Sequence, residues 1–268
     1  MTNICAGIDA GSRTLKVVLL DADRMQPVAF EVVDQGIQQN ALASQVLGRL
    51  LVSNGIARGD VRSIVATGYG RKLIEAADDA VTEITCQACG VHHQLPETRT
   101  IVDIGGQDSK LVRLGPSGVV EDFAMNDRCA AGTGRFLEVL ATRLSVELAD
   151  LGRLVDESRM PAIISSMCVV FAETEIVGLL ASGTSPADIV AGVQASIAIR
   201  LAAMAGRHLR EPVVFTGGVA LVPGMDAALQ SALESPVAVA PDPQITGALG
   251  AAVLAARRLN GQAAPSSS

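Results

Sequence analysis

Two stretches of this sequence share the pattern Asp-x-Gly-x4-Lys, and the second lies 94 residues after the first. The pattern begins at Asp9 in one stretch and at Asp103 in the other. Apolar positions that follow the lysines match at the same offset, so an internal duplication explains the similarity. The matched pairs are Asp9 and Asp103, Gly11 and Gly105, Lys16 and Lys110, Val17 and Leu111, Val18 and Val112, and Leu20 and Leu114.

Each copy is typical of a β-strand, a glycine-containing turn and a second β-strand. Aliphatic residues dominate the chain, which is 49% hydrophobic and 2% aromatic, and its 26 glycines favour tight turns between strands and helices. We therefore expect an α/β fold with two similar lobes that face each other across a cleft. Helices are predicted at Gln39–Val52, Gly134–Leu144, Phe171–Ser182, Pro186–Arg207, Met225–Leu233 and Thr246–Leu259, and further strands at Ser63–Ala66 and Val213–Thr216.

The duplication also predicts where the domains divide. We expect an N-terminal lobe over residues 1–97, with the helix at residues 246–259 packing back onto it. The C-terminal lobe is predicted over residues 98–245. Residues 260–268 are small and polar, which predicts a disordered tail.

Charge and hydropathy exclude several classes of partner. The net charge is −7 and there is no basic block, so nucleic acid is not an expected partner. No uncharged run reaches the roughly 18 residues that a membrane span needs. The N-terminus lacks a basic region followed by an apolar one, so we expect a cytoplasmic protein without membrane association.

The glycine turns are candidate phosphate-binding loops, because backbone N–H groups converge on an anion where no Cβ intervenes. A P-loop is absent, and the turn after Gly11 opens a strand instead of the helix that a Rossmann turn requires. A strand–turn–strand unit can cradle the β- and γ-phosphates while its Asp holds Mg²⁺. Asp9 and Asp103 would then supply one carboxylate from each lobe to a largely hydrated Mg²⁺.

The order of these motifs resembles the superfamily of actin, heat-shock proteins and sugar kinases. That resemblance implies two duplicated, ribonuclease H-like lobes around an ATP cleft. It places phosphate loop one at Asp9–Thr14, phosphate loop two at Asp103–Asp108 and an adenosine motif at Thr216–Gly218. Gln107 or Asp108 would position the attacking water, and the sequence leaves both open. The predicted cofactor-binding residues are Gly11, Ser12, Arg13, Thr14, Lys16, Gly105, Gly106, Gly217 and Gly218.

Two of the five cysteines stand just ahead of predicted helices. An odd number of cysteines in a cytoplasmic chain argues against a disulfide framework. Cys129 and Cys168 would lie at positive helix ends, which favour thiolates and an anionic cluster. A cubane cluster needs about four thiolates, so two chains related by a twofold axis could share one.

Four motifs together closely resemble the 2-hydroxyacyl-CoA dehydratase activator family, to which the ATPase subunits of benzoyl-CoA reductase are related. The motifs are Ala66–Arg71, Asp103–Asp108, Asn126–Leu137 and Ser165–Glu175. The resemblance implies a homodimer with one [4Fe–4S] cluster at its interface, held by Cys129 and Cys168. It also implies that ferredoxin or flavodoxin reduces the cluster. ATP and Mg²⁺ would then drive one electron to a partner dehydratase or reductase.

Several alternatives remain open from the sequence. A small-molecule kinase or an actin-like scaffold would use the same fold, and a benzoyl-CoA-type ATPase subunit would use the same motifs. Cys86 and Cys89, with His92 and His93 nearby, have the spacing of a second metal site, although two unligated thiols are the simpler interpretation. Cys5 is predicted to be a core residue. The sequence does not name the partner enzyme or its acyl-CoA.

Overall fold

The structure is a computed structural model that describes residues 3–165, 168–206 and 209–261. Its strands are β1 (Ile4–Ala10), β2 (Thr14–Asp21), β3 (Gln26–Asp34), β4 (Val61–Thr67), β5 (Asp79–Ala80), β6 (Thr100–Ile104), β7 (Ser109–Leu114), β8 (Val120–Asn126), β9 (Val213–Thr216) and β10 (Val237–Val239). Its α-helices are α1 (Gln39–Ser53), α2 (Glu83–Gln94), α3 (Gly134–Leu144), α4 (Leu151–Asp156), α5 (Val169–Ala181), α6 (Pro186–Ala205), α7 (Met225–Leu233) and α8 (Thr246–Leu259).

The chain divides into two compact units. The first unit consists of the described parts of Met1–Thr98, Leu114–Glu121 and Ala240–Ser268. The second consists of the described parts of Arg99–Arg113 and Asp122–Val239. The first unit therefore contains α8, although this helix is the last element of the chain.

Both units are built on a five-stranded sheet with the same strand order. The first sheet has the order β3-β2-β1-β4-β5, and the second, taken in the same sense, has the order β8-β7-β6-β9-β10. In each sheet the two strands of the strand–turn–strand unit, β1 with β2 and β6 with β7, pair antiparallel. On its other side the Asp-bearing strand pairs parallel with β4 or β9. That strand in turn pairs parallel with β5 or β10. The duplication inferred from the Asp-x-Gly-x4-Lys pattern is confirmed by this shared topology.

The register of the hairpins repeats as well as their order. Asp9 on β1 faces Lys16 on β2, and Asp103 on β6 faces Lys110 on β7. Directly opposed residues in an antiparallel pair bring their side chains close together on one face of the sheet. The six residues between Asp and Lys in the sequence pattern are thus the number that the hairpin needs to align Asp with Lys.

The two copies differ in the connection that follows their third strand. In the first unit a single helix, α1, lies between β3 and β4. In the second unit the described part of the connection from β8 to β9 holds α3, α4, α5 and α6. Cys129 and Cys168 both lie in this longer connection, so the cysteine motifs belong to an elaboration of one copy and have no counterpart in the other.

The central strand of the first sheet, β1, is buried on both faces because it is apolar at almost every position. Along β1, Ile4, Ala6 and Ile8 face the cluster that α1 covers, whereas Cys5 faces the cluster that α2 and α8 cover. Cys5 is fully buried, and its prediction as a core residue is confirmed. The second face of this sheet thus depends on a helix from the end of the chain.

Glycines let α2 and α8 approach each other and the sheet closely. A Cβ on Gly250 of α8 would lie 1.7 Å from the carbonyl oxygen of Cys86 on α2, and a Cβ on Gly90 would lie 1.9 Å from that of Thr246. On β1, a Cβ on Gly7 would lie 1.9 Å from the carbonyl oxygen of Ala248. Every one of these atoms is backbone, so a larger residue would force the elements apart.

We expect Gly250→Ala to destabilise the first unit by about 1–3 kcal/mol, because the added methyl group overlaps the backbone of α2. Gly48→Ala is the matched control, since Gly48 also lies within a helix, but a Cβ there meets nothing within 4 Å. The control should be neutral or stabilise by about 0.4–1 kcal/mol through the lower entropy of the unfolded chain. Urea unfolding of both variants measures the difference, and equal stabilities would contradict the packing described here.

The second unit has one large core between its sheet and its helices. Phe136 of α3 and Phe215 of β9 are the bulkiest fully buried side chains. Among the described residues one helix, α6, is long and apolar enough to cross a membrane by length and composition, and 56% of its apolar 18-residue window is buried. A buried core helix passes the same test, so this is weak evidence for a membrane span.

Most predicted helices and strands are confirmed, and the bounds of α3, α7 and α8 match the prediction. The helix predicted at Phe171–Ser182 begins two residues earlier, at Val169. Strands β3, β5, β8 and β10 and helices α2 and α4 were not predicted. Arg207, the predicted end of α6, and most of the predicted tail, residues 262–268, lie outside the described residues.

Candidate functional site

Phosphate loop one is a tight turn between β1 and β2. The N–H of Gly11 donates to the carbonyl oxygen of Thr14 at 3.2 Å, which closes the turn. The side-chain amide of Gln35 donates to the carbonyl oxygen of Gly11 at 2.9 Å. The backbone N–H of Gln35 donates to the carbonyl oxygen of Arg13 at 2.8 Å. Ser12 and Arg13 are exposed at the tip of the turn. Gln35, which the sequence did not single out, therefore supports the loop from the strand beside it.

Phosphate loop two repeats this turn in the second unit. The N–H of Gly105 donates to the carbonyl oxygen of Asp108 at 2.9 Å, at positions equivalent to Gly11 and Thr14. A Cβ on Gly105 would lie 2.6 Å from Oδ1 of Asp108, so a side chain there would displace the carboxylate. Gln107 is exposed at the tip and Asp108 is half-buried. The predicted loop residues are thus brought together within each unit.

The conserved geometry of the hairpins pairs each Asp with a lysine. In the first unit Lys16 Nζ lies 3.0 Å from Oδ2 of Asp9. In the second unit Lys110 Nζ is shared, at 3.5 Å from Oδ2 of Asp103 and 2.7 Å from Oδ2 of Asp108. Both pairs are largely buried, so the attraction is screened less than between surface charges. Each loop therefore presents carboxylate and ammonium groups side by side, as a site for Mg²⁺ and phosphate requires.

A Thr-Gly pair follows the parallel neighbour of each Asp-bearing strand. Thr67 at the end of β4 pairs with Asp9, and Thr216 at the end of β9 pairs with Asp103. Both threonines are fully buried. The glycine after each threonine lies against the neighbouring Asp carboxylate. This repeat of Thr-Gly was not identified from the sequence. The similar runs Ile-Val-Ala-Thr-Gly at residues 64–68 and Val-Val-Phe-Thr-Gly at residues 213–217 were the signal that could have revealed it. Gly217 and Gly218 follow β9 and open a short 3₁₀ helix.

Cys129 is held by the last residue of β8. The side-chain amide of Asn126 donates to the carbonyl oxygen of Cys129 at 2.9 Å, and its oxygen accepts from the N–H of Cys129 at 3.0 Å. Cys129 is half-buried, and the 3₁₀ helix Ala130–Gly132 follows it directly. Asn126 fixes the backbone of the cysteine, a role that the sequence did not reveal.

The segment after Cys129 is bonded to phosphate loop two. The N–H groups of Gly134 and Arg135, at the start of α3, donate to the carbonyl oxygens of Gly105 and Gly106, each at 2.9 Å. A Cβ on Gly134 would lie 3.2 Å from the carbonyl oxygen of Gly105. The first turn of α3 thus contacts the loop, and only four residues separate Cys129 from Gly134.

Cys168 is exposed directly before α5. Large apolar side chains near it, Ile163, Val170 and Phe171, are each at least 66% exposed. Arg143 of α3 and Glu173 of α5 form an ion pair between the helices that follow the two cysteines. Cys168 is therefore an exposed thiol with exposed apolar side chains close to it in the sequence.

The residues of the candidate second metal site, Cys86, Cys89, His92 and His93, all lie on α2. Burial raises the pKa of Cys86 to about 12, and Cys86 lies near Thr67. Cys89 and His92 line a cavity of about 50 Å³ together with Arg257, whose positive charge disfavours a cation. His93 instead donates to the carbonyl oxygen of Met25 at 2.9 Å. Within the described ranges, no three or more of His, Cys, Asp and Glu form a group that could hold a metal ion.

We expect two classes of thiol in iron-free protein treated with iodoacetamide at pH 8. Burial raises the pKa of Cys5 to about 11 and that of Cys86 to about 12 from 9.0, and also raises the pKa of Cys89. Since the thiolate is the nucleophile, a rise of about three units lowers the reactive fraction of Cys86 roughly a thousandfold. Mass spectrometry should find Cys129 and Cys168 modified first. Rapid labelling of Cys5 or Cys86 in folded protein would contradict their burial.

The fold of this chain is also that of a hexokinase. The structure superposes on the ROK hexokinase of Thermus thermophilus with a TM-score of 0.55 over 96% of this chain and 99% of the other, at 15% identity. At that identity the similarity concerns the fold alone. Together with the duplicated sheets, it confirms the predicted actin and sugar-kinase fold.

Comparison of sequences narrows this class to one family. The model of the BadF/BadG/BcrA/BcrD ATPase family matches residues 6–255. The activator of lactoyl-CoA dehydratase from Anaerotignum propionicum is 44% identical over 250 residues, 93% of this chain and 96% of that protein. The activator of 2-hydroxyisocaproyl-CoA dehydratase from Clostridium difficile, solved with bound ADPNP, superposes with a TM-score of 0.91 at 40% identity over 96% of each chain. The chain belongs to the BadF/BadG/BcrA/BcrD ATPase family, and its resemblance to the dehydratase activators is confirmed.

Proposed function

We propose that this protein is an ATP-dependent activator that delivers one electron to a partner 2-hydroxyacyl-CoA dehydratase or related reductase. The observation that carries the proposal is the direct bonding of the Cys129 segment to a phosphate loop, because it joins a nucleotide-binding element to a candidate cluster ligand. The high identity to two dehydratase activators along nearly the whole chain supports it.

Both phosphate loops would contribute to binding Mg·ATP. Each loop offers a glycine turn and an Asp that a lysine holds in place. A side chain at Gly11 or Gly105 would meet atoms within 3 Å, so glycine keeps the turns narrow enough for backbone N–H groups to face a phosphate. Asp9 and Asp103 would hold Mg²⁺ or its waters. Gln107 and Asp108 lie in the second turn and are candidates to position the attacking water.

Lys16 and Lys110 would contact the phosphates of ATP as well as the Asp carboxylates. A lysine ammonium is a compact point charge that can neutralise a phosphate oxygen. Lys110 is shared between Asp103 and Asp108, so binding of Mg²⁺ to Asp103 would leave Lys110 with Asp108 and the phosphates. The adenosine would be bound near Gly217 and Gly218, which follow β9.

The donor set fits a cluster shared by two copies of the chain. Cys129 and Cys168 are the two accessible thiols of the five, and neither is in a disulfide. Two such chains supply the four thiolates of a [4Fe–4S] cluster, which stores and releases one electron. The exposed apolar side chains beside Cys168 would be covered in such a homodimer. Ferredoxin or flavodoxin is the proposed electron donor.

ATP hydrolysis tests the nucleotide site. We expect Asp9→Ala or Asp103→Ala to lower the rate of ATP hydrolysis at least about a hundredfold, because Mg²⁺ loses a carboxylate ligand while the fold persists. Asp156→Ala is the control, since this exposed carboxylate stands at the end of α4, away from both loops. A wild-type rate in either loop variant would remove that residue from the site.

Iron content tests the cluster. Anaerobically prepared protein should contain about four irons per two chains, and Cys129→Ser or Cys168→Ser should lose them while ATP still binds. The double variant Cys86→Ser/Cys89→Ser is the control and should keep the iron and the visible absorption. A colourless monomer after strictly anaerobic preparation with iron and sulfide would refute the cluster. Loss of half the iron in the control would instead reveal a second metal centre.

A further inference from the structure

Gly68 and Gly217 occupy the same place in the two copies of the fold. Each directly follows the parallel strand that neighbours the Asp-bearing strand, β4 in the first unit and β9 in the second. Their φ angles are +86° and +88°, a region that glycine adopts without the steric cost of a Cβ. Conformation alone does not distinguish them, because Gly183 also has a φ of +86°.

The contacts of these glycines distinguish them from Gly183. A Cβ on Gly68 would lie 2.3 Å from Oδ1 of Asp9, and a Cβ on Gly217 would lie 2.5 Å from Oδ1 of Asp103. Each Cβ would also meet the carbonyl oxygen of the residue that follows the Asp. The distance is 2.7 Å from a Cβ on Gly68 to Ala10 and 2.4 Å from a Cβ on Gly217 to Ile104. A Cβ on Gly183 would meet nothing within 4 Å.

Each Asp carboxylate is thus restrained at both of its oxygens. A lysine lies beside Oδ2, at 3.0 Å in the first unit and 3.5 Å in the second, and the glycine lies against Oδ1. A carboxylate restrained in this way keeps one orientation before any ligand arrives. Mg²⁺ demands near-ideal octahedral geometry, so a fixed orientation matters more for it than for a softer or larger cation.

We infer that Gly68 and Gly217 are positioning residues, each of which sets the orientation of one Mg²⁺-binding aspartate by lying against its Oδ1. The inference rests on the proposed function, because it assigns these glycines to the same Mg·ATP site. It also gives a role to the Thr-Gly pair at the end of β4. This pair lies in the first unit, whereas the predicted adenosine motif lies in the second, and no function has been assigned to it above.

The test compares Gly68→Ala and Gly217→Ala with Gly183→Ala. All three place a methyl group at nearly the same φ, so they share the backbone strain. The first two differ from Gly183→Ala in the contacts with the carboxylate and with the carbonyl oxygen of the following residue, and the combined variant below separates these two contacts. The readouts are the Mg²⁺ concentration that gives half-maximal ATP hydrolysis and the affinity for ATP in EDTA. We expect the first two variants to need about tenfold to a hundredfold more Mg²⁺. Gly68→Ala, which lies outside the predicted adenosine motif, should also keep its affinity for ATP in EDTA. Gly183→Ala should match the wild type in both.

A combined variant separates positioning from a general loss of structure. If Gly68 acts through Asp9, adding Gly68→Ala to Asp9→Ala should cause no further loss, since both changes remove the same carboxylate from the site. An additive loss would overturn the inference. So would failure of both glycine variants to fold, by circular dichroism, while Gly183→Ala folds, because the glycines would then be structural.

The proposed function and this inference fail in different ways. Wild-type hydrolysis by Asp9→Ala and Asp103→Ala would refute the Mg²⁺ site itself. Impaired hydrolysis in the Asp variants, together with wild-type Mg²⁺ dependence in Gly68→Ala and Gly217→Ala, would overturn the inference alone.

Discussion

The pairing of an aspartate with a lysine across each antiparallel hairpin is the interaction on which the rest of this structure depends. The register that places Asp9 opposite Lys16 also fixes the length of the turn between them, and the same holds for Asp103 and Lys110. A slip of one residue would move each side chain to the other face of its sheet. The ion pair, the glycine turn and the alternating core contacts of β1 therefore require the same register.

Elaboration of one copy gives the duplicated fold its asymmetry. The connection from β8 to β9 carries both accessible cysteines, whereas its counterpart holds the single helix α1. Backbone hydrogen bonds tie the start of α3 to phosphate loop two, and Asn126 fixes the backbone of Cys129.

Burial divides the five cysteines into two classes more clearly than their spacing does. The Cys-x2-Cys pair resembles a metal site in the sequence, and α2 buries both thiols in one apolar cluster with residues of α8. Burial raises the pKa of both thiols. Cys168, without such spacing, is exposed.

The sequence by itself determined the duplication, both glycine turns and the helices α3, α7 and α8, because a fixed spacing and a helical period are local properties of the chain. It did not reveal β3, β8 and α2, whose residues gain their order from packing on neighbouring strands and helices. Only the tertiary structure showed that Gly68 and Gly217 lie against the aspartates and that Asn126 holds Cys129. Such contacts form between strands or across turns, where the sequence records which residues are present but not which atoms meet.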